Sequence, residues 1–306
     1  VIRHPLLAGT AFGMGAGVMW GTIFLVPLLL PDYPALVLSA GRYLAFGLVV
    51  LVPAWLGRAH LLRLGRADWL RALELSLIGN MLYYLGIALA VQRAGAPMTT
   101  MIIGTLPVVI SVVGNRGAHR IAWRRLALPL VVIGLGLGLV HHDEWGRAGA
   151  GAGEDYALGL LAALGALICW TWYPLRNAAW IKARPSLSMS GWATAQGLAT
   201  LPLALAAFLV VDGMPGFDWP FGPDPWLFVG LMLVLGICAS WLGTWFWNQT
   251  SRLLPAGVSG QMIVFETVFG MAYTFLYRGQ WPESGTMAGL VLLVGGVVLG
   301  VRAARA

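Results

Sequence analysis

Residues 91–107 read VQRAGAPMTTMIIGTLP, and residues 251–267 read SRLLPAGVSGQMIVFET. The second stretch lies 160 positions after the first. Identity is low, but the layout is shared. An apolar run ends, a basic residue follows, then a tight turn with a small residue (Gly95-Ala96, Pro255-Ala256), then the next run begins. A second pair extends the match: residues 18–25 read VMWGTIFL and residues 168–175 read ICWTWYPL, an offset of 150, and loops absorb the difference. Self-similarity at a long period divides the chain into two halves. They are joined at the Gly-rich stretch GRAGAGAGEDY, residues 146–156. The division is 1–145, a linker at 146–155, and 156–306.

The 306 residues are 59% hydrophobic and 10% charged, with a mean hydropathy of +0.79. A soluble domain carries about a quarter charged residues, so this chain is an integral membrane protein whose solvent is lipid. Ten apolar runs are long enough to cross a bilayer: 6–30, 34–56, 68–91, 97–115, 123–141, 156–180, 187–211, 225–248, 257–277 and 285–304. They lack period-two alternation and are too long for barrel strands, so the fold class is all-α. The prediction is ten transmembrane helices arranged as two inverted five-helix repeats around a central cavity. An odd number of spans per half forces the halves into opposite orientations, the plan of many secondary transporters.

The net charge of +7 is a topology signal and not a nucleic-acid footprint. With the N-terminus in the cytoplasm, fifteen of the nineteen basic residues fall on the cytoplasmic side, among them Arg58, Arg63, Arg66, Arg71 and Arg184. Arg93, Arg147 and Arg278 fall outside, and Arg42 lies within the second span. Short loops rich in Lys and Arg stay inside. Both termini are therefore expected in the cytoplasm, and the linker at 146–155 on the periplasmic face. The first run is too long for a cleaved signal and reads as a retained span. Cys169 and Cys238 sit in apolar runs as packing residues.

Several groups interrupt the apolar runs. Asn80, Tyr83 and Tyr84 lie at i, i+3 and i+4 and share a helical face, which suits either a substrate-binding wall or a helix–helix hydrogen bond. Trp170 and Tyr173 share a face, with Trp172 elsewhere, and Pro174 breaks backbone bonding just beyond them. Trp20 lies mid-span beside the stripe Gly13, Gly17, Gly21, a close-packing pattern. Trp241, Trp245 and Asn248 form one face; Trp241 is assigned to the cavity, Trp247 and Gln249 to the interfacial belt. Met101 is an adaptable wall residue, and Pro107 kinks its span. Pro107 and Pro174 are the candidate hinges. Arg42 either snorkels to the headgroups, the favoured reading, or pairs with a substrate carboxylate. Glu74 is within reach of Arg71. His141-His142-Asp143-Glu144 reads as a solvated helix end and not as a metal site.

Glu266 sits near the bilayer midplane, where an acidic charge costs about 2.5–3.5 kcal/mol. Three roles stay open for it: a proton-coupling carboxyl, a contact for a substrate ammonium, or a structural pin. No nucleophile–base set, phosphate loop or Cys-x-x-Cys is present, so neither an enzyme nor a cofactor is expected. No mid-membrane Lys/Arg pair is present to hold a polyanion. An aromatic wall with few polar groups suits a neutral or zwitterionic small molecule.

The layout resembles the drug/metabolite transporter superfamily, with two EamA-type halves. Each family half opens on a Trp-Gly-like step, matched by Trp20-Gly21 and, less well, by Trp170-Thr171. Its span-turn-span unit carries a Glu-Pro step, which aligns with Leu106-Pro107 and Glu266-Thr267. Within the superfamily, the membrane Trp and Tyr residues resemble those of YddG-type aromatic amino acid exporters. The resemblance implies a ten-helix transporter of the bacterial inner membrane that works as a monomer and exports amino acids and related metabolites by alternating access. Spans one to four and six to nine would line the cavity, with spans five and ten packed outside. The candidate substrate-binding residues are Trp20, Asn80, Tyr83, Tyr84, Met101, Trp170, Tyr173, Trp241 and Glu266. The expected partners are the amino acid substrate and membrane lipid, with no nucleic acid. A multidrug exporter of lipophilic cations is the alternative in the same class; a lipid-handling or scaffold protein is the alternative outside it.

Overall fold

The computed structural model describes residues 5–113, 123–148, 153–211, 222–254 and 259–305. Among these residues the regular elements are helical and no strand occurs. Seven helices are long and apolar enough to cross a membrane. Six of them are α1 (Leu6–Leu29), α2 (Ala35–Leu56), α3 (Arg66–Ala94), α7 (Gly153–Lys182), α8 (Met189–Val211) and α9 (Pro225–Leu253). The seventh is the apolar part of α6 (Trp123–Ala148).

The remaining helices are shorter than the sequence suggests. The fourth expected span divides into α4 (Ala96–Gly104) and α5 (Leu106–Val113), with the break at Thr105 just before Pro107. The proline lacks an N–H and clashes with the preceding turn, so the helix restarts there. The ninth is α10 (Ile263–Arg278), sixteen residues that follow a 3₁₀ turn at Gly260–Met262. At the α-helical rise it is about 24 Å long, less than a ~30 Å hydrocarbon core. The last, α11 (Ser284–Arg305), is apolar over Ser284–Gly300.

The ends of the expected 146–155 linker are helical, since α6 runs to Ala148 and α7 starts at Gly153. Its middle lies outside the described residues, as does the Pro255-Ala256 turn. The Gly95-Ala96 turn is present. Gly95 has φ +84°, a conformation that side-chain-bearing residues resist, and it lets α3 pass directly into α4.

Helix α1 packs on α9 and α10, while α7 packs on α3 and α4; α2 packs on α8, α4 on α10, and α6 on α11. Glycines set the closest approaches. A Cβ on Gly13 would lie 2.6 Å from Met262 Cγ, one on Gly17 2.5 Å from Phe265 Cβ, and one on Gly21 2.8 Å from the Gly270 nitrogen. The stripe therefore seats α1 directly on α10. Gly17→Leu is expected to wedge the pair apart and destabilise the protein by about 1–3 kcal/mol, the usual cost of overpacking. Thermal unfolding in detergent, with the exposed Gly165→Leu as a control, checks it.

On the α6–α11 pair, Gly136 and Gly289 meet backbone to backbone, and Gly296 meets Ile133 and Pro129. The outer faces of α6 and α7 present Leu128, Val131, Leu135, Leu161, Leu164 and Ile168 to the surroundings, which suits lipid rather than water. Trp55, Trp226 and Trp281 are exposed near helix ends, where indoles favour the membrane interface. Both cysteines are free.

Candidate functional site

Two irregular turns shape the centre of the bundle. Helix α3 widens into a π segment at Ser76–Leu82, and α9 does the same at Leu235–Leu242. Such i→i+5 turns are rare and concentrate at functional sites. Asn80 and Ser240, 160 positions apart, lie in the two segments. A carbonyl of each segment accepts a side-chain donor from a neighbouring helix: Met81 O from Ser39 Oγ at 2.9 Å, and Ala239 O from Trp20 Nε1 at 2.9 Å.

Between the segments lies a small cavity of about 20 Å³. Its walls are Trp20 and Ile23 from α1, Arg42 and Tyr43 from α2, Gly79, Asn80 and Tyr83 from α3, Trp170 and Tyr173 from α7, and Ala239, Ser240 and Thr244 from α9. Trp170 is the aromatic hub. Its ring centroid lies 5.0 Å from Trp20, 5.4 Å from Tyr83, 4.9 Å from Tyr173 and 5.9 Å from Trp247, all edge-on, the geometry aromatic pairs prefer. Small-molecule pockets measure roughly 300–1,000 Å³, so the cavity is closed in this structure and a substrate enters only if helices part.

The predicted residues divide into two groups. Trp20, Asn80, Tyr83, Trp170 and Tyr173 line the cavity together. Tyr84, Met101, Trp241 and Glu266 do not. Tyr84 was expected on the Asn80–Tyr83 face, but it lies outside the cavity wall, with its ring 4.5 Å from the Arg42 guanidinium carbon. Met101 is buried in a separate apolar cluster with Met271 and Leu293. Trp241 is half-buried, and its Nε1 donates to Thr194 Oγ1 at 3.3 Å. Glu266 is 1% exposed and sits behind Tyr83, whose hydroxyl donates to Glu266 Oε1 at 3.0 Å; Oε2 has no hydrogen-bond partner. Among the described residues, the lining comes from α1, α2, α3, α7 and α9, and none of it from α4, α8 or α10.

Other expectations are corrected. Arg42 does not snorkel. It is 4% exposed, its Nε donates to Ser240 Oγ at 3.0 Å, and its guanidinium carbon lies 5.0 Å from the Tyr43 ring and 4.5 Å from the Tyr84 ring. Those contacts offset part of its desolvation. Trp247 is buried beside Trp20 and Trp170, not in an interfacial belt. Pro174 does not break its helix, for α7 continues to Lys182. The end of α6 is not simply solvated. Glu144 is buried and accepts from Arg278 at 3.3 and 3.4 Å, and Asp143 accepts from Thr286 at 2.8 Å. No His/Cys/Asp/Glu group that could hold a metal occurs among the described residues.

Ion pairs tie the two ends of the bundle. Arg93 pairs with Asp155 at one end. At the other, Glu74 pairs with Arg71 and, at 3.6 Å, with Arg176 Nη2 of α7, and Arg184 Nε lies 2.8 Å from Asp68 Oδ1. Beside the cavity, Asn177 Nδ2 donates to Asn248 Oδ1 at 3.0 Å and Trp192 Nε1 to Asn177 Oδ1 at 2.8 Å, joining α7, α8 and α9. A larger hollow of about 570 Å³ lies between α10 and α11, walled by Met271, Phe275, Leu276, Trp281 and Leu290 among others. It has no ionisable lining residue, so it suits a lipid chain better than a polar metabolite.

The EamA-like transporter family model matches this chain twice, at residues 7–139 and 157–302. "Inner membrane protein YtfF" of Escherichia coli (strain K12) is 46% identical over 316 residues, covering 97% of this chain and 96% of that one. A solved structure described only as "Crystal structure of protein" superimposes with a TM-score of 0.67 at 19% identity, covering 97% of this chain and 99% of the other. That likeness concerns the fold alone.

Proposed function

We propose, from the premise that this chain belongs to the EamA-like transporter family, that it exports neutral amino acids, aromatic ones included, across the bacterial inner membrane. Membership makes it a membrane transporter of small metabolites and not an enzyme. The inner-membrane location follows the name of its Escherichia coli relative and the cytoplasmic bias of its basic loops; that bias also puts both termini in the cytoplasm. The observation that carries the substrate reading is the central cavity, where Trp20, Tyr83, Trp170 and Tyr173 surround the polar Asn80 and Ser240. Rings of this kind take up an apolar or aromatic side chain, while a few placed polar groups orient the backbone end of an amino acid.

Transport proceeds by alternating access between two inverted halves, 1–145 and 156–306. Three observations support the halves. The family model matches each separately. The packing of α1 on α9 and α10 is mirrored by that of α7 on α3 and α4. The π segments of α3 and α9 occur at corresponding positions. The closed cavity requires an opening step, and the break at Thr105 before Pro107 is the stronger hinge candidate; Pro174 adjoins the cavity residue Tyr173 but lies inside an unbroken helix.

The competing reading is an exporter of lipophilic cations, since aromatic walls also attract cations. Competition against labelled phenylalanine in proteoliposomes separates the two. Neutral amino acids are expected to compete and lipophilic cations to leave exchange unchanged; the reverse order would favour the multidrug reading.

A further inference from the structure

We infer that Arg42 is the anchor for a substrate carboxylate, so that the cavity selects for an acid group on an apolar or aromatic body. The inference rests on the cavity being the substrate site. Among the described residues, Arg42 is the one charged residue in the cavity wall, and no carboxylate lines it. Arginine cannot shed its charge in a protein, so a guanidinium 4% exposed in mid-bundle is costly unless something uses it. Neither Arg42 nor Glu266 takes part in the ion pairs among the described residues.

The guanidinium is held as a recognition group requires. The rings of Tyr84 and Tyr43 lie 4.5 and 5.0 Å from its carbon. Ser240 Oγ occupies Nε at 3.0 Å. Nη1 is buried with no hydrogen-bond partner. A planar fork with a spare donor is the usual partner of a carboxylate. The substrate ammonium has no matching anion, because Glu266 stands behind Tyr83. Acid-group recognition therefore dominates: compounds that lack the amine are ligands, and amines that lack the acid are repelled.

The test is binding to the purified, detergent-solubilised protein, read by intrinsic tryptophan fluorescence and by thermal stabilisation. The probes are L-phenylalanine, 3-phenylpropionate (no amine) and 2-phenylethylamine (no acid). 3-Phenylpropionate is expected to bind nearly as well as phenylalanine, and 2-phenylethylamine about tenfold to a hundredfold more weakly, the range for one charge-assisted hydrogen-bonded pair. Arg42→Met is expected to abolish this preference. Arg42→Lys keeps the charge but loses the fork, and about a tenfold loss for 3-phenylpropionate is expected; it decides the matter if Arg42→Met fails to fold. Binding of 2-phenylethylamine as tight as that of phenylalanine would overturn the anchor. So would wild-type binding of 3-phenylpropionate by Arg42→Lys, or no binding of any probe by folded wild-type protein. If 3-phenylpropionate binds through Arg42 while phenylalanine is not exchanged in liposomes, the anchor stands and the amino acid reading fails.

Discussion

Glu266→Gln is expected to leave the bundle assembled and to reduce substrate flux on the order of tenfold, as a mid-membrane carboxyl with a working role implies. The replacement keeps the side-chain shape and an oxygen to accept from Tyr83, so the 3.0 Å hydrogen bond survives. What is lost is the ability to carry or release a charge. Tyr83 makes that ability relevant to transport. Its ring lines the cavity and packs edge-on against Trp170, while its hydroxyl reaches back to Glu266. If substrate entry displaces Tyr83, the donor is withdrawn from a buried carboxylate. An unpartnered buried carboxylate is costly and takes up a proton instead. Substrate occupancy and the proton on Glu266 would thus be linked through one side chain. Flux of the wild type is expected to respond to a pH gradient across the liposome, and that of Glu266→Gln is not. Tyr83→Phe, which cuts the link but keeps the ring, is expected to fall between them. Full flux with an unaltered pH profile in the Gln variant would leave Glu266 a structural pin.

Trp170→Ala should have the largest effect on both stability and affinity. The indole touches Trp20, Tyr83, Tyr173 and Trp247, so its removal leaves a void where helices from both halves meet. Truncation of a buried large aromatic costs about 3–5 kcal/mol, which for a chain of this size lowers the apparent Tm by roughly 10 °C. The same void enlarges a cavity of about 20 Å³ and removes the ring against which an aromatic substrate would lie. Phenylalanine binding is expected to weaken by about tenfold or more, the value of one good aromatic contact plus lost burial. Trp170→Phe should recover most of both. Equal losses in the Phe and Ala variants would mean that the indole N–H, and not the ring face, carries the role.

The helical, membrane-spanning class was legible because lipid demands long apolar runs and internal backbone bonding. Trp20, Trp170, Asn80, Tyr83 and Tyr173 could be placed at one site because they interrupt those runs at related positions. The rest was hidden by local geometry. A regular helix puts Asn80, Tyr83 and Tyr84 on one face, but the Tyr84 ring is taken up by Arg42 of α2, a partner met only in the fold. In α9, Ser240 lies in a π segment and lines the cavity, and nothing in the string LGICASWL announces that segment beyond its small residues. Arg42 looked like an interfacial cation because its partners, Ser240 and the Tyr43 and Tyr84 rings, come together only in the fold. Trp247 misled for the opposite reason: it is near a helix end in sequence but is covered by α1 and α7. The short α10 and the break after α4 escaped a hydropathy reading, which counts apolar residues and not hydrogen-bonded turns. Pro107 was the one visible sign of that break.

Counterflow decides whether this chain moves amino acids through the Trp170 cavity. Liposomes carrying the purified protein are loaded with unlabelled amino acids one at a time, and uptake of labelled phenylalanine is followed. Amino acid transport through that cavity gives saturable exchange that ranks the neutral amino acids and is lost in Trp170→Ala. No exchange with any amino acid, from protein shown to be folded, would contradict it.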